Sequence, residues 1–119
     1  KRYALAIIES ETQRLAGTAE LNIRDFHGHN GEIGYSLHPE CWGRGLATEA
    51  ARLLIYFGFN ELHLHRIYAT CDPRNIASYK VMEKLGFTYE GRMRENLLIK
   101  DGWRDSLIYS ILETDLPSP

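Results

Sequence analysis

At 119 residues the chain has room for one domain with a sizeable core and none for a second. Hydrophobic residues make up 44% and charged residues 25%, with a formal net charge of −2, so there is no bulk basicity for nucleic acid and no like-charge run. No apolar stretch reaches membrane-spanning length and no signal-peptide pattern opens the chain; the two cysteines, Cys41 and Cys71, lack metal-type spacing and read as a reduced pair in a cytoplasmic protein.

The first nine residues, KRYALAIIE, alternate Tyr3, Leu5 and Ile7 on one face, which predicts a strand. A turn at SETQ leads to a second strand, RLAGTAELNIRDF, with Leu21 and Ile23 aligned. HGHNG closes a hairpin, its Asn30-Gly31 pair suited to positive φ angles. EIGYSL, with Ile33, Tyr35 and Leu37 on one side, is the third strand. The period then changes from 2 to 3.6. Ala47, Ala50, Ala51, Leu54 and Phe57 share one face of a helix that runs to about Asn60. HRIYATC, His65 to Cys71, returns to strand character. DPRNIASYKVMEKLGF is a second helix with Asn75 as N-cap, Gly86 as C′ glycine, and Ser78, Val81, Met82 and Leu85 on one face. FTYEGRMRENLLI and WRDSLIYSILE are two strands joined by a turn at Lys100-Asp101-Gly102. The expected order is βββ-α-β-α-ββ: one α/β domain over 1–119, a mixed sheet with flanking helices and no repeat or linker.

The junction WGRGLATEA, Trp42 to Ala50, opens the first helix on a bare glycine turn. A helix start with uncovered amides is an anion site. A dinucleotide fingerprint needs a third glycine where Thr48 stands, and a nucleotide P-loop needs Gly-Lys-Ser/Thr; neither is present. What remains is a turn whose glycines let the backbone approach a bulky anion, with consecutive N–H groups from about Gly43 to Thr48 facing it, as suits a diphosphate. The alternative is a tight strand-to-helix turn that needs glycine only for its dihedrals.

About thirty residues later comes NIASYKVMEKLGF, Asn75 to Phe87. On these two motifs the sequence resembles the GNAT superfamily of acetyl-CoA-dependent N-acetyltransferases. Within it, the chain is most similar to the ribosomal-protein alanine N-acetyltransferase branch and its spermidine-acetyltransferase relatives. Trp42-Gly43-Arg44-Gly45-Leu46-Ala47 fits the pyrophosphate loop Q/R-x-x-G-x-G/A with Trp in first place, followed by TEA. Asn-x-x-Ser near the start of the second helix, Leu-Gly-Phe at its end, EGRMRE and GWRDSLIYS match as well. The resemblance runs by motif from Gly31 to Glu113 and by pattern alone over the opening two strands. Family members carry a further strand and two helices before the point where this sequence begins, elements that build much of the acceptor groove. The chain is therefore expected to lack that part.

The resemblance implies direct attack of an amine on a thioester, with no covalent enzyme intermediate. The protein must align the reactants, take a proton from the ammonium, stabilise the oxyanion and help the thiolate leave. By the same resemblance the sheet splays beside EIGYSL, where backbone groups near Leu37, His38 and Pro39 pair with the pantetheine amides and one N–H faces the thioester oxygen. Trp42, Gly43, Arg44, Gly45, Leu46, Ala47 and Thr48 hold the diphosphate. Asn75 bonds the pantetheine arm, or serves only as an N-cap. Many members carry a tyrosine acid at the position of Met82, so Ser78, one turn after Asn75 and turned toward an apolar interior, is the candidate acid; otherwise it is a small residue near the cap. Lys84, with Lys80, approaches the phosphates or lies on a solvated face. For the general base there are Glu32 on the third strand and Glu95, which stands two residues before Leu97 and hence on its face. Either is also an ordinary solvated strand glutamate, and a water chain is the third candidate. His27, His29, His63 and His65 lack carboxylate or cysteine partners at ligand spacing, so no metal is expected. Trp42 and Trp103 read as packing residues.

Two classes of function follow. The first is an enzyme that uses acetyl-CoA to acetylate a primary amine: a protein N-terminal α-amino group, as on a ribosomal protein, ahead of a polyamine or other small amine. The second is a non-catalytic CoA-binding domain. Glu9, Glu11, Glu20 and Asp25 are too dispersed to mark a polyamine groove. A sheet edge left open by an absent strand predicts self-association into a homo-oligomer.

Overall fold

A computed structural model describes residues 1–25, 29–43 and 45–116. Six strands and two helices follow in the expected order: β1 Arg2–Ile8, β2 Leu15–Asp25, β3 Asn30–Leu37, α1 Leu46–Asn60, β4 Arg66–Cys71, α2 Ile76–Lys84, β5 Thr88–Ile99 and β6 Gly102–Leu112. A short 3-10 turn, Pro39–Cys41, links β3 to the glycine junction. The strands form one mixed sheet in the order β1-β2-β3-β4-β6-β5. Every neighbouring pair is antiparallel except β3 with β4, where α1 supplies the crossover that a parallel pair requires.

The core lies between the sheet and the two helices. Leu21, Ile33, Ile67 and Ile111 point from four strands toward Ala51, Leu54, Ile55 and Phe59 of α1, and Met82 and Phe87 complete the cluster. The alanines on the inner face of α1 let its axis approach the strands. Phe57 sits at the edge, its ring 5.3 Å from that of Tyr3 in a T-shaped contact.

Two local expectations need correction. Asn30 and Gly31 do not form the turn of the β2–β3 hairpin; both are strand residues, paired with Asp25 and Ile23. The positive φ falls instead on His29, at 54°, and 26–28, including His27, lie outside the described residues. Gly31 is needed for space: a Cβ there would stand 2.8 Å from a Leu64 methyl. The tryptophans do not pack, since Trp42 is 60% and Trp103 62% exposed. Cys41 and Cys71 are buried free thiols. Among the described residues no helix is long and apolar enough to cross a membrane.

One feature of the topology creates a site. The parallel β3–β4 ladder covers only Asn30–Glu32 against Arg66–Tyr68. Beyond it β3 stays with β2 as far as Leu37, while β4 stays with β6 through Cys71. The second halves of β3 and β4 therefore diverge, and a wedge opens between them.

Candidate active site

The β3 wall of the wedge presents backbone. The His38 N–H donates to the Ala16 carbonyl at 2.8 Å, which assigns the even-numbered residues of β3 to β2. Alternation in an antiparallel ladder then turns the N–H and C=O of Tyr35 and the N–H of Leu37 toward the β4 side, where pairing has ended. The Leu37 carbonyl accepts the Trp42 indole N–H at 3.1 Å. Of the three residues expected to offer backbone groups, Leu37 therefore does so. The His38 amide is committed to β2, and Pro39, which has no N–H, uses its carbonyl to accept from Trp42 N.

The floor is the opening of α1. Gly45 is its N-cap with φ 74°, Gly43 has φ 79°, and no side chain caps the helix. The first intrahelical bond runs from Glu49 N–H to the Gly45 carbonyl. The amides of Leu46, Ala47 and Thr48 thus precede the helical ladder, at the positive end of a 15-residue helix. A Cβ at Gly43 or Gly45 would meet nothing within 4 Å, so the space over the turn is open. Arg44 lies outside the described residues.

The opposite wall is α2. Asn75 caps it, Oδ1 accepting from Ser78 N–H at 3.1 Å, which leaves the amide nitrogen as the end available to another acceptor. The loop before it is set by Asp72. Its carboxylate accepts from the Arg74 backbone N–H at 2.9 Å and its guanidinium at 2.8 Å, and its carbonyl accepts from Asn75 N–H. The Arg74 side chain, then its backbone N–H, lower the Asp72 pKa to about 2. Because this lies below the unfolded value of about 3.9, the stabilisation is complete above pH ~4, declines as pH falls toward 2 and is absent below that. Urea titrations at stepped pH are expected to show Asp72→Asn less stable than wild type above pH ~4, the two converging near pH ~2.

These walls enclose a groove in two lobes. One, of about 250 Å³, is lined by Tyr35, Leu37, Trp42, Asn75 and Ser78 among others. The second, of about 240 Å³, is lined by Gly45, Leu46, Thr48, Lys80 and Lys84 among others. Leu37, Gly43, Ala47, Ala77 and Val81 border both. Along α2 the distance from Asn75 to Lys84 is about 14 Å at 1.5 Å per residue. The groove thus carries amides and ammonium groups at one end, an apolar middle, and hydroxyl and amide groups at the wedge.

Ser78 is tied to the opposite wall. The Tyr35 hydroxyl reaches across from β3 to lie 3.2 Å from both the Ser78 carbonyl and its Oγ. Burial pushes the Tyr35 phenol above its ordinary range, opposed by the bond to Ser78. Burial also raises the Cys71 thiol, an effect that the Ser78 side chain opposes. Neither Tyr35 nor Asp72 stood out in the sequence. Tyr35 reads as one more inward strand residue, and the DPRN run carries an Asx-turn composition that could have marked Asp72.

The two glutamates separate. Glu32 occupies the last β3–β4 pair, at the vertex of the wedge, and accepts from Arg24 at 2.7 and 2.9 Å. Glu95 does not share a strand face with Leu97. Between the pairs Met93–Ser106 and Leu97–Arg104, three residues of β5 oppose Asp105 alone. Glu95 takes φ 43° in this bulge, its N–H donating to Asp105 at 2.7 Å. It lines a separate cavity of about 310 Å³ with Asp72, Arg92 and Trp103, which shares no residue with the groove. No cluster of three or more potential metal ligands occurs among the described residues.

Comparison with known proteins decides the family. The sequence profile described as acetyltransferase (GNAT) domain matches residues 1–88. The chain belongs to the GNAT acetyltransferase family. Against the uncharacterized N-acetyltransferase YnaD of Bacillus subtilis, this GNAT chain is 42% identical over 90 residues, 76% of its own length and 53% of YnaD. Against the spermidine N(1)-acetyltransferase of Escherichia coli K12, it is 32% identical over 108 residues, covering 90% of itself and 57% of that enzyme. The crystal structure of ribosomal-protein-S5-alanine acetyltransferase from Vibrio fischeri superposes with a TM-score of 0.88 at 33% identity, over 98% of this chain and 64% of that one. The GNAT chain therefore spans between about half and two-thirds of the length of these relatives.

Proposed function

We propose that this GNAT chain binds acetyl-CoA in the two-lobed groove and transfers the acetyl group by direct attack to a primary amine, a protein N-terminal α-amino group. The observation that carries the reading is the continuity of the groove from the uncapped start of α1 to the wedge. The amides of Leu46, Ala47 and Thr48, the turn Trp42–Gly45 and the ammonium groups of Lys80 and Lys84 hold the diphosphate. The apolar middle takes the pantetheine arm, with the Asn75 amide and the Tyr35 backbone as its polar partners, and the Leu37 N–H is the donor that faces a developing oxyanion. Ser78 hydrogen-bonds the departing sulfur. Glu32, at the vertex, accepts the ammonium proton directly or through water; Glu95 is the poorer candidate because its bulge directs it to another cavity.

The acceptor class rests on the sheet's carboxylates. Glu20, Glu32, Asp72, Glu90 and Asp105 each hold an arginine, from Arg2, Arg24, Arg74, Arg66 and Arg92. A polyamine needs several carboxylates free of such partners, whereas one α-amino group needs a single base, for which Glu32 has its second oxygen, since both Arg24 bonds fall on Oε1. The alanine-acetyltransferase likeness agrees with this, and spermidine is the competing acceptor.

Calorimetry with acetyl-CoA, then thiol release with a ribosomal N-terminal peptide and with spermidine, tests the reading. Binding followed by faster release with the peptide is the expected result. Faster release with spermidine overturns the acceptor, and binding without release makes this a CoA-binding domain. Ser78→Ala is expected to lower kcat by about a hundredfold with acetyl-CoA affinity within about twofold of wild type. An unchanged kcat removes Ser78 from the chemistry.

A further inference from the structure

We infer that Tyr35 is a positioning residue for the transfer, which orients the Ser78 hydroxyl across the wedge and replaces the proton that Ser78 gives to the departing sulfur. The inference rests on the proposed acetyl transfer, and deepens it at the same groove.

The geometry is specific. Beyond Tyr68 the strands β3 and β4 no longer pair, and the Tyr35 hydroxyl bridges from β3 to Ser78 on α2, 3.2 Å from the Ser78 carbonyl and from its Oγ. Asn75 fixes the Ser78 N–H at 3.1 Å. Ser78 is thus held at its amide by the helix cap and at its hydroxyl by a group from the opposite wall. Tyr35 and Ser78 border the same lobe of the groove.

The chemistry requires such a partner. A serine hydroxyl is a far weaker acid than a thiol, and it cannot leave a proton on a sulfur and remain an alkoxide. A phenol, with an ordinary pKa near 10 against about 8.5 for a thiol, is matched to the task. As the C–S bond breaks, the Ser78 O–H proton forms the new S–H bond. The Tyr35 O–H proton moves to Ser78 Oγ, and the phenolate is reprotonated from bulk solvent, which also receives the ammonium proton released by the base.

Among the described residues, Tyr35 is influenced by Ser78 from α2 and by Cys71 from β4. Burial raises the Cys71 thiol, and the Ser78 side chain opposes that shift. Without the phenol, the Ser78 hydroxyl loses the partner that holds it from the β3 wall.

The test is Tyr35→Phe, which keeps the ring and removes only the hydroxyl. Two readouts are used: kcat against KM in acetyl transfer, and the pH titration of the thiol of bound CoA, followed by its thiolate absorbance. Tyr35→Phe is expected to lower kcat about tenfold with KM for acetyl-CoA within about twofold. The bound thiol is expected to titrate about one pH unit higher, since the Ser78 donor is no longer oriented toward the thiolate. The double variant Tyr35→Phe with Ser78→Ala is expected to be no slower than Ser78→Ala alone, because the phenol acts through the serine. An unchanged thiol titration overturns the inference, as does a double variant slowed by the product of the two single effects. If wild type binds acetyl-CoA but acetylates no amine, the proposed function fails and the thiol titration alone decides the role of Tyr35.

Discussion

Gly45→Glu is expected to weaken acetyl-CoA binding by at least about a hundredfold while leaving the fold intact. Two effects combine. At φ 74° a residue with a Cβ costs about 1–2 kcal/mol, set by the backbone alone because a Cβ there meets nothing within 4 Å. The stronger effect is electrostatic. A carboxylate at the N-cap competes with the ligand's phosphates for the amides of Leu46, Ala47 and Thr48 and repels whatever anion remains; two unit charges about 4 Å apart interact by about 4 kcal/mol at an effective dielectric of 20. A hundredfold loss needs only about 2.8 kcal/mol, so the loss survives substantial screening. Gly86→Ala separates backbone strain from charge. Gly86 has φ 86° at the C′ position of α2 and borders neither lobe of the groove, so it carries the backbone cost without the charge. Calorimetry is expected to find its affinity unchanged and its melting temperature lowered. A folded Gly45→Glu protein with wild-type affinity would mean that the α1 opening binds no phosphate.

Much of this architecture is legible because it is written in local periods. Alternation set the six strands, the change to a 3.6 period set α1, and Asn75 and Gly86 marked the ends of α2 where the structure has them. The family motifs are equally local, since each is a short run within or beside one helix. What stayed illegible depends on neighbours distant in sequence. Nothing in EIGYSL tells that its tyrosine crosses to α2, because the partner, Ser78, lies 43 residues away. The bulge that redirects Glu95 is held by Asp105 from the next strand, and a period-2 reading cannot contain it. The Asn30-Gly31 reading failed similarly: both residues belong to β3, and Gly31 answers to the Leu64 side chain rather than to a turn. Exposure of Trp42 and Trp103 is a matter of which surfaces the fold leaves open, which side-chain chemistry alone does not give.

Gly17→Ala tests whether the wedge depends on the register of β2 and β3. In sequence Gly17 is an unremarked residue inside a strand. In the fold it pairs with Leu37 and with Ile7, and a Cβ there would lie 2.0 Å from the Ser36 carbonyl oxygen and 2.9 Å from Leu37 Cα. These are backbone atoms that no rotamer change can move, so the strands must part where β3 presents Leu37 and Tyr35 to the groove. The expected cost is about 3 kcal/mol, the upper part of the usual overpacking range, which lowers the melting temperature by about 12 °C at roughly 4 °C per kcal/mol. Because the displaced segment carries the N–H proposed to face the reacting carbonyl, kcat is expected to fall further than acetyl-CoA affinity, for which the proposed contacts lie mainly on α1 and α2. Gly34→Ala is the matched control. It lies in the same pair of strands, opposite Glu20, but its Cβ would find only the flexible Glu20 side chain, at 3.9 Å. Its effect is expected to stay within about 0.5 kcal/mol. Equal melting temperatures for the two variants would show that β2 and β3 separate without penalty, and the wedge would then owe its shape to α2 rather than to the sheet.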